Sequence, residues 1–224
     1  GTAYAYWNCT RCIVRMGWMM YPTYIVDNFF DNPEAIVKLA HSTPFPNKGH
    51  KSPGERTASL HTTHPDFFNW TGLRILSAIF PEKQTGFIAD ASFQKISKNV
   101  SEVDFIHQDT NIKLTAIVYL NPNGTGGTSL FKPKTFVTLG LQDTQKYNYF
   151  KSPEKFKGEK LKELRMEKES IRAKFNETLS VAGVYNRLFM FDGHQYHSQH
   201  RNINNEERLT YIVFFSKIES WNAP

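Results

Sequence analysis

The feature that most limits the fold of this chain is a succession of short β-prone runs between residues 85 and 216, separated by turn residues. The clearest runs span 114–121 and 208–215, and the cluster Asn-Gly-Thr-Gly-Gly at 123–127 is a strong turn signal. Many short strands with frequent turns predict a β-sandwich or a β-barrel. All-β domains of about this length often remain undivided, so we expect one domain.

Helical patterns flank the β-prone region. Asn32 is suited to cap a helix, Pro33 fits its first position, and Glu34 favours the positive end of its dipole. A second helix is predicted over 67–80, where Pro81 stops it, after a loop over 44–65 that is rich in proline and glycine. The expected fold is therefore mainly β with flanking helices.

Composition limits the class of protein and the cellular compartment that we expect. Hydrophobic residues make up 40% and charged residues 21%, which is ordinary for a globular protein. No apolar run approaches the roughly 20 residues that span a bilayer, and the N-terminus lacks the pattern of a secretory signal. The two cysteines lie close together, so no disulfide framework holds the main body. We expect a cytoplasmic protein with no membrane partner.

Residues 1–20 form a poorly patterned lead. The pair Cys9-x-x-Cys12 could be half of a zinc site, but a structural site needs four ligands and the chain has no second pair. Met19 or Met20 directly precedes the first well-patterned segment, so we interpret the lead as an extension upstream of the natural start. The predicted domain spans 21–224.

A helical insert at about 146–175 carries most of the charge. It holds ten basic and five acidic residues, against a net charge of +6 for the whole chain and a pI of about 9.2. Its helix-forming composition predicts a helix with one modest apolar stripe. A solvated helix is the favoured interpretation. A basic surface for nucleic acid is the alternative, although no interleaved aromatic residues support base stacking.

The pair His107-x-Asp109 is the first candidate site. Residues at i and i+2 of a strand share a face, so a strand here would direct an imidazole and a carboxylate to one point. Together they are two of the three ligands in a 2-His-1-carboxylate triad, which holds non-haem Fe(II) and leaves coordination positions open.

A second histidine is available among three that follow the turn signal at 192–193. His194, His197 and His200 lie three residues apart, and only one is needed. Downstream, Arg208 and Thr210 share a face of the last strand. A planar guanidinium beside a hydroxyl suits a carboxylate, because it donates two parallel hydrogen bonds.

In this order, the motifs resemble those of the Fe(II)- and 2-oxoglutarate-dependent oxygenases, in particular bacterial and phage members of the prolyl-hydroxylase-like branch. The likeness covers roughly residues 85–216 and implies a double-stranded β-helix, the cupin-like jelly roll. It places the metal ligands on His107, Asp109 and His197, with His197 eleven residues before Arg208. His194 and His200 fit this spacing less well, and His194 is the second choice as ligand.

The resemblance implies a dioxygenase that uses Fe(II), O2 and 2-oxoglutarate. Arg208 and Thr210 would bind the far carboxylate of 2-oxoglutarate, and Asn99, Gln94 and Tyr119 are candidates to help hold it. The sequence does not fix the face of its strand on which Tyr119 lies, so a tyrosine of the core is the equally open alternative. Decarboxylation to succinate would drive hydroxylation of a substrate C–H bond. The primary substrate, a protein side chain or a small molecule, is not identified by any motif, and nothing in the sequence fixes the oligomeric state.

Two alternatives stay open at this point. One is a cupin-like metal-binding module with no turnover, which would give no visible charge-transfer band when Fe(II) and 2-oxoglutarate are added. The other is an oxygenase that modifies nucleic acid through the basic insert, which would bind DNA or RNA in a salt-sensitive manner.

Overall fold

A computed structural model of the protein describes residues 21–48, 54–97, 105–135, 157–200 and 206–222. Two antiparallel sheets face each other, and helices pack against their outer sides. The strands are β1 (Tyr24–Val26), β2 (Asn47–Lys48), β3 (Glu55–Arg56), β4 (Lys83–Ile96), β5 (Leu114–Tyr119), β6 (Thr125–Pro133), β7 (Phe175–Gly183), β8 (Leu188–Asp192), β9 (Tyr196–Gln199) and β10 (Arg208–Asn222), and the helices are α1 (Pro33–Ser42), α2 (Leu60–Thr63), α3 (Pro65–Ser77) and α4 (Gly158–Arg172).

The sheets have the arrangement of a jelly roll, which confirms the predicted fold class. The major sheet has seven strands in the order β1-β8-β5-β10-β4-β3-β2, and the minor sheet has three in the order β7-β6-β9. Neighbouring strands in the sheets pair antiparallel, and consecutive strands such as β8 and β9 alternate between the two sheets.

The period of two in the major sheet sorts its side chains between two cores. On β5, Leu114, Ala116 and Val118 face the helices, whereas Ile117 and Tyr119 face the minor sheet. The helix-facing core is the larger and contains α1 and α3 side chains. The inner core lies between the sheets, and Leu130 and Val181 of the minor sheet contribute to it. A side chain on the inner face of the major sheet therefore lies between the two sheets, where it can contact residues of the minor sheet.

Local chemistry accounts for the first helix as predicted. Asn32 Oδ1 accepts a hydrogen bond of 3.1 Å from the Ala35 backbone N–H, with Pro33 at the first helical position. The second predicted helix begins at Pro65 and ends at Ser77, before Pro81. Within the described part of the chain, no helix is both long enough and apolar enough to cross a bilayer.

The described part of the insert forms α4, which ends at Arg172 because Phe175 already begins β7. Leu164 and Ile171 of α4 are buried against the outer side of the minor sheet, in a cluster with Phe105 and Ile106. The insert is therefore packed through its apolar stripe. Residues 146–156 lie outside the described residues, as do the lead at 1–20 and Asn99.

Three secondary-structure predictions are wrong. The segment 44–65 is not simply a loop, because β3 pairs with β4 at the sheet edge and α2 precedes α3. Residues 85–89 and 91–96, which the sequence predicts as two separate short strands, form one strand, since β10 pairs with β4 along its whole length. Gly127 belongs to β6 instead of a turn, where a Cβ would lie 1.7 Å from the Val181 carbonyl oxygen of β7.

Two strands of the minor sheet were also missed. The four residues of β9 show no alternation, and β7 alternates between exposed and more buried positions only in its second half. The expected strand around His107 is reduced to an isolated bridge with His197. The i, i+2 argument therefore does not explain how His107 and Asp109 meet.

Candidate metal and cosubstrate site

Three predicted side chains converge at one end of the inner space. His107 Nε2 lies 3.9 Å from Asp109 Oδ1, and His197 Nε2 lies 3.5 Å from Asp109 Oδ2. Candidate donor atoms from all three residues lie within 4.8 Å of one another, an arrangement that could hold a metal ion. Two imidazoles and one carboxylate are the donor set of non-haem iron sites.

The backbone, rather than a regular strand, brings these residues together. The His107 N–H donates to the His197 carbonyl oxygen at 3.0 Å, and the His197 N–H donates back to His107 at 2.8 Å. The Asp109 N–H donates to the carbonyl oxygen of Gly193 at 2.8 Å. The segment before β5 is thus tied both to β9 and to the turn after β8, which places its carboxylate beside both rings.

Hydrogen bonds also fix the orientation of each ring. His107 Nδ1 lies 2.9 Å from the Phe105 carbonyl oxygen, and His197 Nδ1 lies 2.9 Å from the Gln195 carbonyl oxygen. A carbonyl oxygen only accepts, so the proton of each neutral ring belongs on Nδ1. Both Nε2 lone pairs are then available in the direction of Asp109, as a metal-binding histidine requires.

Asp109 has a polar partner on the neighbouring strand. Thr115, buried on the inner face of β5, donates its hydroxyl to Asp109 Oδ2 at 2.7 Å. This contact was not predicted from the sequence, because Thr115 reads as one position in an apolar run.

The predicted cosubstrate residues lie together on the inner face of the major sheet. Thr210 of β10 is directly opposite Tyr119 of β5 on one side and Gln94 of β4 on the other. Arg208 precedes Thr210 by two residues and lies on the same face, with its guanidinium carbon 5.4 Å from the Tyr119 ring centroid. All four side chains are buried. The structure thus fixes the face of Tyr119, which the sequence did not.

Arg208 is a buried cation with neutral surroundings. Its Nε donates to the Gly126 carbonyl oxygen at 3.1 Å. Among the residues that the structure describes, no carboxylate lies within 4.0 Å of its guanidinium. Burial lowers the pKa of Arg208, and burial raises the pKa of the neighbouring Tyr119 hydroxyl, which stays protonated and donates to Thr128 Oγ1 at 2.9 Å. An unmatched buried cation favours an anionic ligand.

Two buried polar atoms on this inner face lack a hydrogen-bond partner within the described ranges. They are Thr210 Oγ1 and Gln199 Nε2. Buried polar groups in native proteins are nearly always paired, so each unpaired atom calls for an explanation such as a ligand. Gln199 was missed from the sequence. Its signal is the i, i+2 relation to His197, which only counts once β9 is recognised as a strand.

The other two histidines of the 194–200 segment lie outside the cluster. His194 Nδ1 pairs with Asp192 Oδ1 at 3.0 Å. His200 Nε2 contacts the hydroxyls of Ser129 and Ser180, and burial lowers its pKa. Neither is part of the group of donor atoms formed by His107, Asp109 and His197.

Comparison with solved structures identifies the class to which this fold belongs. HygX from Streptomyces hygroscopicus, solved with nickel and 2-oxoglutarate bound, is similar over 86% of this chain and 82% of its own, with a TM-score of 0.55 and 11% identity. The α-ketoglutarate-dependent carbocyclase SnoK from nogalamycin biosynthesis matches 86% of this chain and 78% of its own, with a TM-score of 0.52 and 10% identity. The fold is that of the non-haem 2-oxoglutarate oxygenases.

The chain belongs to the family of unknown function DUF6445, whose model matches residues 8–211. A search of curated proteins gives no match.

Proposed function

We propose that the protein is an Fe(II)- and 2-oxoglutarate-dependent dioxygenase of the prolyl-hydroxylase-like branch, which hydroxylates a C–H bond of a substrate still to be identified. One observation carries the proposal. A triad of two histidines and one aspartate shares the inner space of a jelly roll with a buried arginine that has no carboxylate partner among the described residues.

The residues present fit both groups. His107, Asp109 and His197 would hold the iron, and two imidazoles oriented through their Nδ1 atoms together with one carboxylate match its preferences. The unpaired hydroxyl of Thr210 and the unmatched charge of Arg208 fit a carboxylate. When bound, iron and 2-oxoglutarate supply the activation of O2 and the oxidation of the substrate, with release of succinate and CO2.

The chain's own part in the reaction is binding and orientation. Arg208 would bind the far carboxylate of 2-oxoglutarate, and its burial would keep water from competing for that contact. Tyr119, bonded to Thr128, stands beside the guanidinium on the inner face of the major sheet. Apolar rings, including Phe189 and Phe191, line the space between the sheets and keep it dry.

Anaerobic titration tests the proposal directly. Fe(II) and 2-oxoglutarate added to the pure protein should produce a weak visible charge-transfer band, and air should then yield succinate even without the primary substrate. The variant His197→Ala should show neither signal. A metal-binding module without turnover would bind iron but give no band and no succinate, and that result would reject the dioxygenase.

The first mutational prediction concerns Arg208. Arg208→Ala removes a charged contact to the cosubstrate and should raise the dissociation constant of 2-oxoglutarate about 10- to 150-fold, equivalent to about 1.5–3 kcal/mol. Metal affinity should not change, because the triad is left intact. Calorimetric titration of the metal-free protein with Mn(II) measures the metal affinity, and titration of the manganese-loaded protein with 2-oxoglutarate measures the cosubstrate affinity.

Arg74→Ala is the matched control for this prediction. Arg74 pairs with Asp31 and the Phe29 carbonyl oxygen on the helix side of the major sheet, away from the inner space. Its loss should leave 2-oxoglutarate affinity unchanged. Equal affinity for 2-oxoglutarate in Arg208→Ala and the unmodified protein would reject the assignment of Arg208.

A further inference from the structure

Gln199 lies on β9, two residues after His197, and the two side chains share the inner face of the minor sheet. The register with β6 shows this directly, because His197 is opposite Leu130 and Gln199 is opposite Thr128. Leu130 belongs to the inner core, and Thr128 Oγ1 accepts a hydrogen bond from the Tyr119 hydroxyl across the space between the sheets. Gln199 is therefore placed at the level of Tyr119, on the Arg208 side of the triad.

The side-chain amide of Gln199 is an unused donor in that position. Its Nε2 is buried and has no hydrogen-bond partner within the part of the chain that the structure describes. A buried N–H without an acceptor is costly. Because this nitrogen is buried, surface water does not serve as its acceptor. The other unpaired atom, Thr210 Oγ1, lies on the facing sheet beside Tyr119. Gln199 Nε2 on the minor sheet, and Thr210 Oγ1 and the Arg208 guanidinium on the major sheet, thus face the same space between the two sheets.

We infer that Gln199 is a further cosubstrate-binding residue, whose amide donates a hydrogen bond to the distal carboxylate of 2-oxoglutarate from the minor sheet. Arg208 and Thr210 approach the same carboxylate from the major sheet. The inference rests on the proposed function, and it adds a contact that neither the motif order nor the triad predicts. A carboxylate has two oxygens and room for several donors, so the three groups do not compete.

Equilibrium binding to the manganese-loaded protein, which does not turn over, tests the inference. Gln199→Leu keeps the size of the side chain and removes the donor, so the dissociation constant of 2-oxoglutarate should rise about tenfold. The affinity for oxalate should not change, since oxalate can chelate the metal but has no distal carboxylate. Ser198→Ala, on the opposite face of the same strand, is the matched control and should leave both constants unchanged.

A second variant keeps the test decisive if Gln199→Leu folds poorly. Gln199→Glu retains shape and polarity but sets a negative charge against the incoming carboxylate, so it should weaken 2-oxoglutarate binding more than Gln199→Leu and again spare oxalate. Unchanged 2-oxoglutarate affinity in either folded variant overturns the inference alone. Failure of the unmodified protein to bind 2-oxoglutarate overturns both the inference and the proposed function.

Discussion

Thr115 Oγ1 donates to Asp109 Oδ2 from a side chain that β5 directs into the space between the sheets. The same oxygen of Asp109 is the one nearer to His197, while the other faces His107. A hydroxyl on one carboxylate oxygen limits rotation of the group about its last bond. Thr115 thereby holds the aspartate in an orientation in which its two oxygens are directed towards the two rings, as the proposed metal site would require.

The effect of this hydroxyl can be measured with an isosteric change. Thr115→Val removes the hydrogen bond but keeps the volume, and the affinity for a divalent metal should fall about 10- to 100-fold, as for other residues that orient a metal ligand. Competition titration with a metal indicator gives the constant. Thr115→Ser keeps the hydroxyl and should restore most of the affinity. If the valine variant binds metal as well as the unmodified protein, Thr115 has no orienting role.

Single residues were also where the sequence was most informative. His107, Asp109, His197, Arg208 and Thr210 could be picked out because their chemistry is distinctive and their order is restrictive. Thr115 and Gln199 could not, since a threonine in an apolar strand and a glutamine after a histidine have many ordinary explanations. The strand registers show which residues lie opposite Thr115 and Gln199, and only these neighbours distinguish the two side chains from ordinary strand residues.

Among the elements, α4 supports the site without contributing a ligand. Its Leu164 and Ile171 pack against Phe105 and Ile106, the two residues that directly precede His107. The insert, for which the charge pattern predicted a solvated helix, thus covers the segment that carries His107. On the solvent side of α4 Met166 is 65% exposed, whereas Lys168 is buried along with Leu164 and Ile171.

The turn after β8 is another element on which the site depends. Gly193 is buried and its carbonyl oxygen accepts the Asp109 N–H. A Cβ on Gly193 would lie 2.4 Å from the Ile112 carbonyl oxygen. Gly193→Ala should therefore shift the segment that carries Asp109, lowering both the metal affinity and the free energy of unfolding, the latter by about 1–3 kcal/mol.

A second glycine provides the comparison for that prediction. At Gly86 in β4, the nearest atom to an added Cβ is 3.4 Å away, so Gly86→Ala should change the free energy of unfolding by less than about 0.5 kcal/mol. Urea denaturation of the two variants, with metal titration of each, separates the steric effect from the general effect of adding a methyl group. Equal behaviour of the two variants would contradict the role of Gly193.

Elements with strong local signals were predicted well, and elements made by pairing were not. The Asn32 cap of α1 and the prolines that begin α1 and α3 act within a few residues, so the sequence displays them. Strands β2 and β3 are two residues long and exist because β4 offers an edge. The length of β4 and β10 likewise comes from their mutual pairing, which a window of neighbouring residues does not contain.

For the whole molecule, the three side chains of the triad connect the two sheets at one place. His197 lies on the minor sheet, whereas Asp109 is bonded to Thr115 of the major sheet. A ligand that binds only the folded state stabilises it by mass action, by about 2.7 kcal/mol at 100 times its dissociation constant. Saturation with Mn(II) and 2-oxoglutarate should therefore raise the melting temperature by about 5–10 °C.

Thermal unfolding followed by circular dichroism measures this shift. His197→Ala should show no rise with either addition, because it lacks one ligand. A melting temperature that does not respond to metal and 2-oxoglutarate in the unmodified protein would show that the folded state does not bind them.

The two histidines of the triad exchange backbone hydrogen bonds with each other, and those bonds do not involve their rings. Replacing either imidazole removes a proposed ligand but leaves the main-chain hydrogen bonds in place, so the proposed metal site can be changed by mutation without removing this contact between the segments. A related protein could therefore lose the triad side chains by substitution and still keep this fold. Similarity of shape is for that reason a poor guide to turnover among its relatives, and the identity of three side chains is the better one.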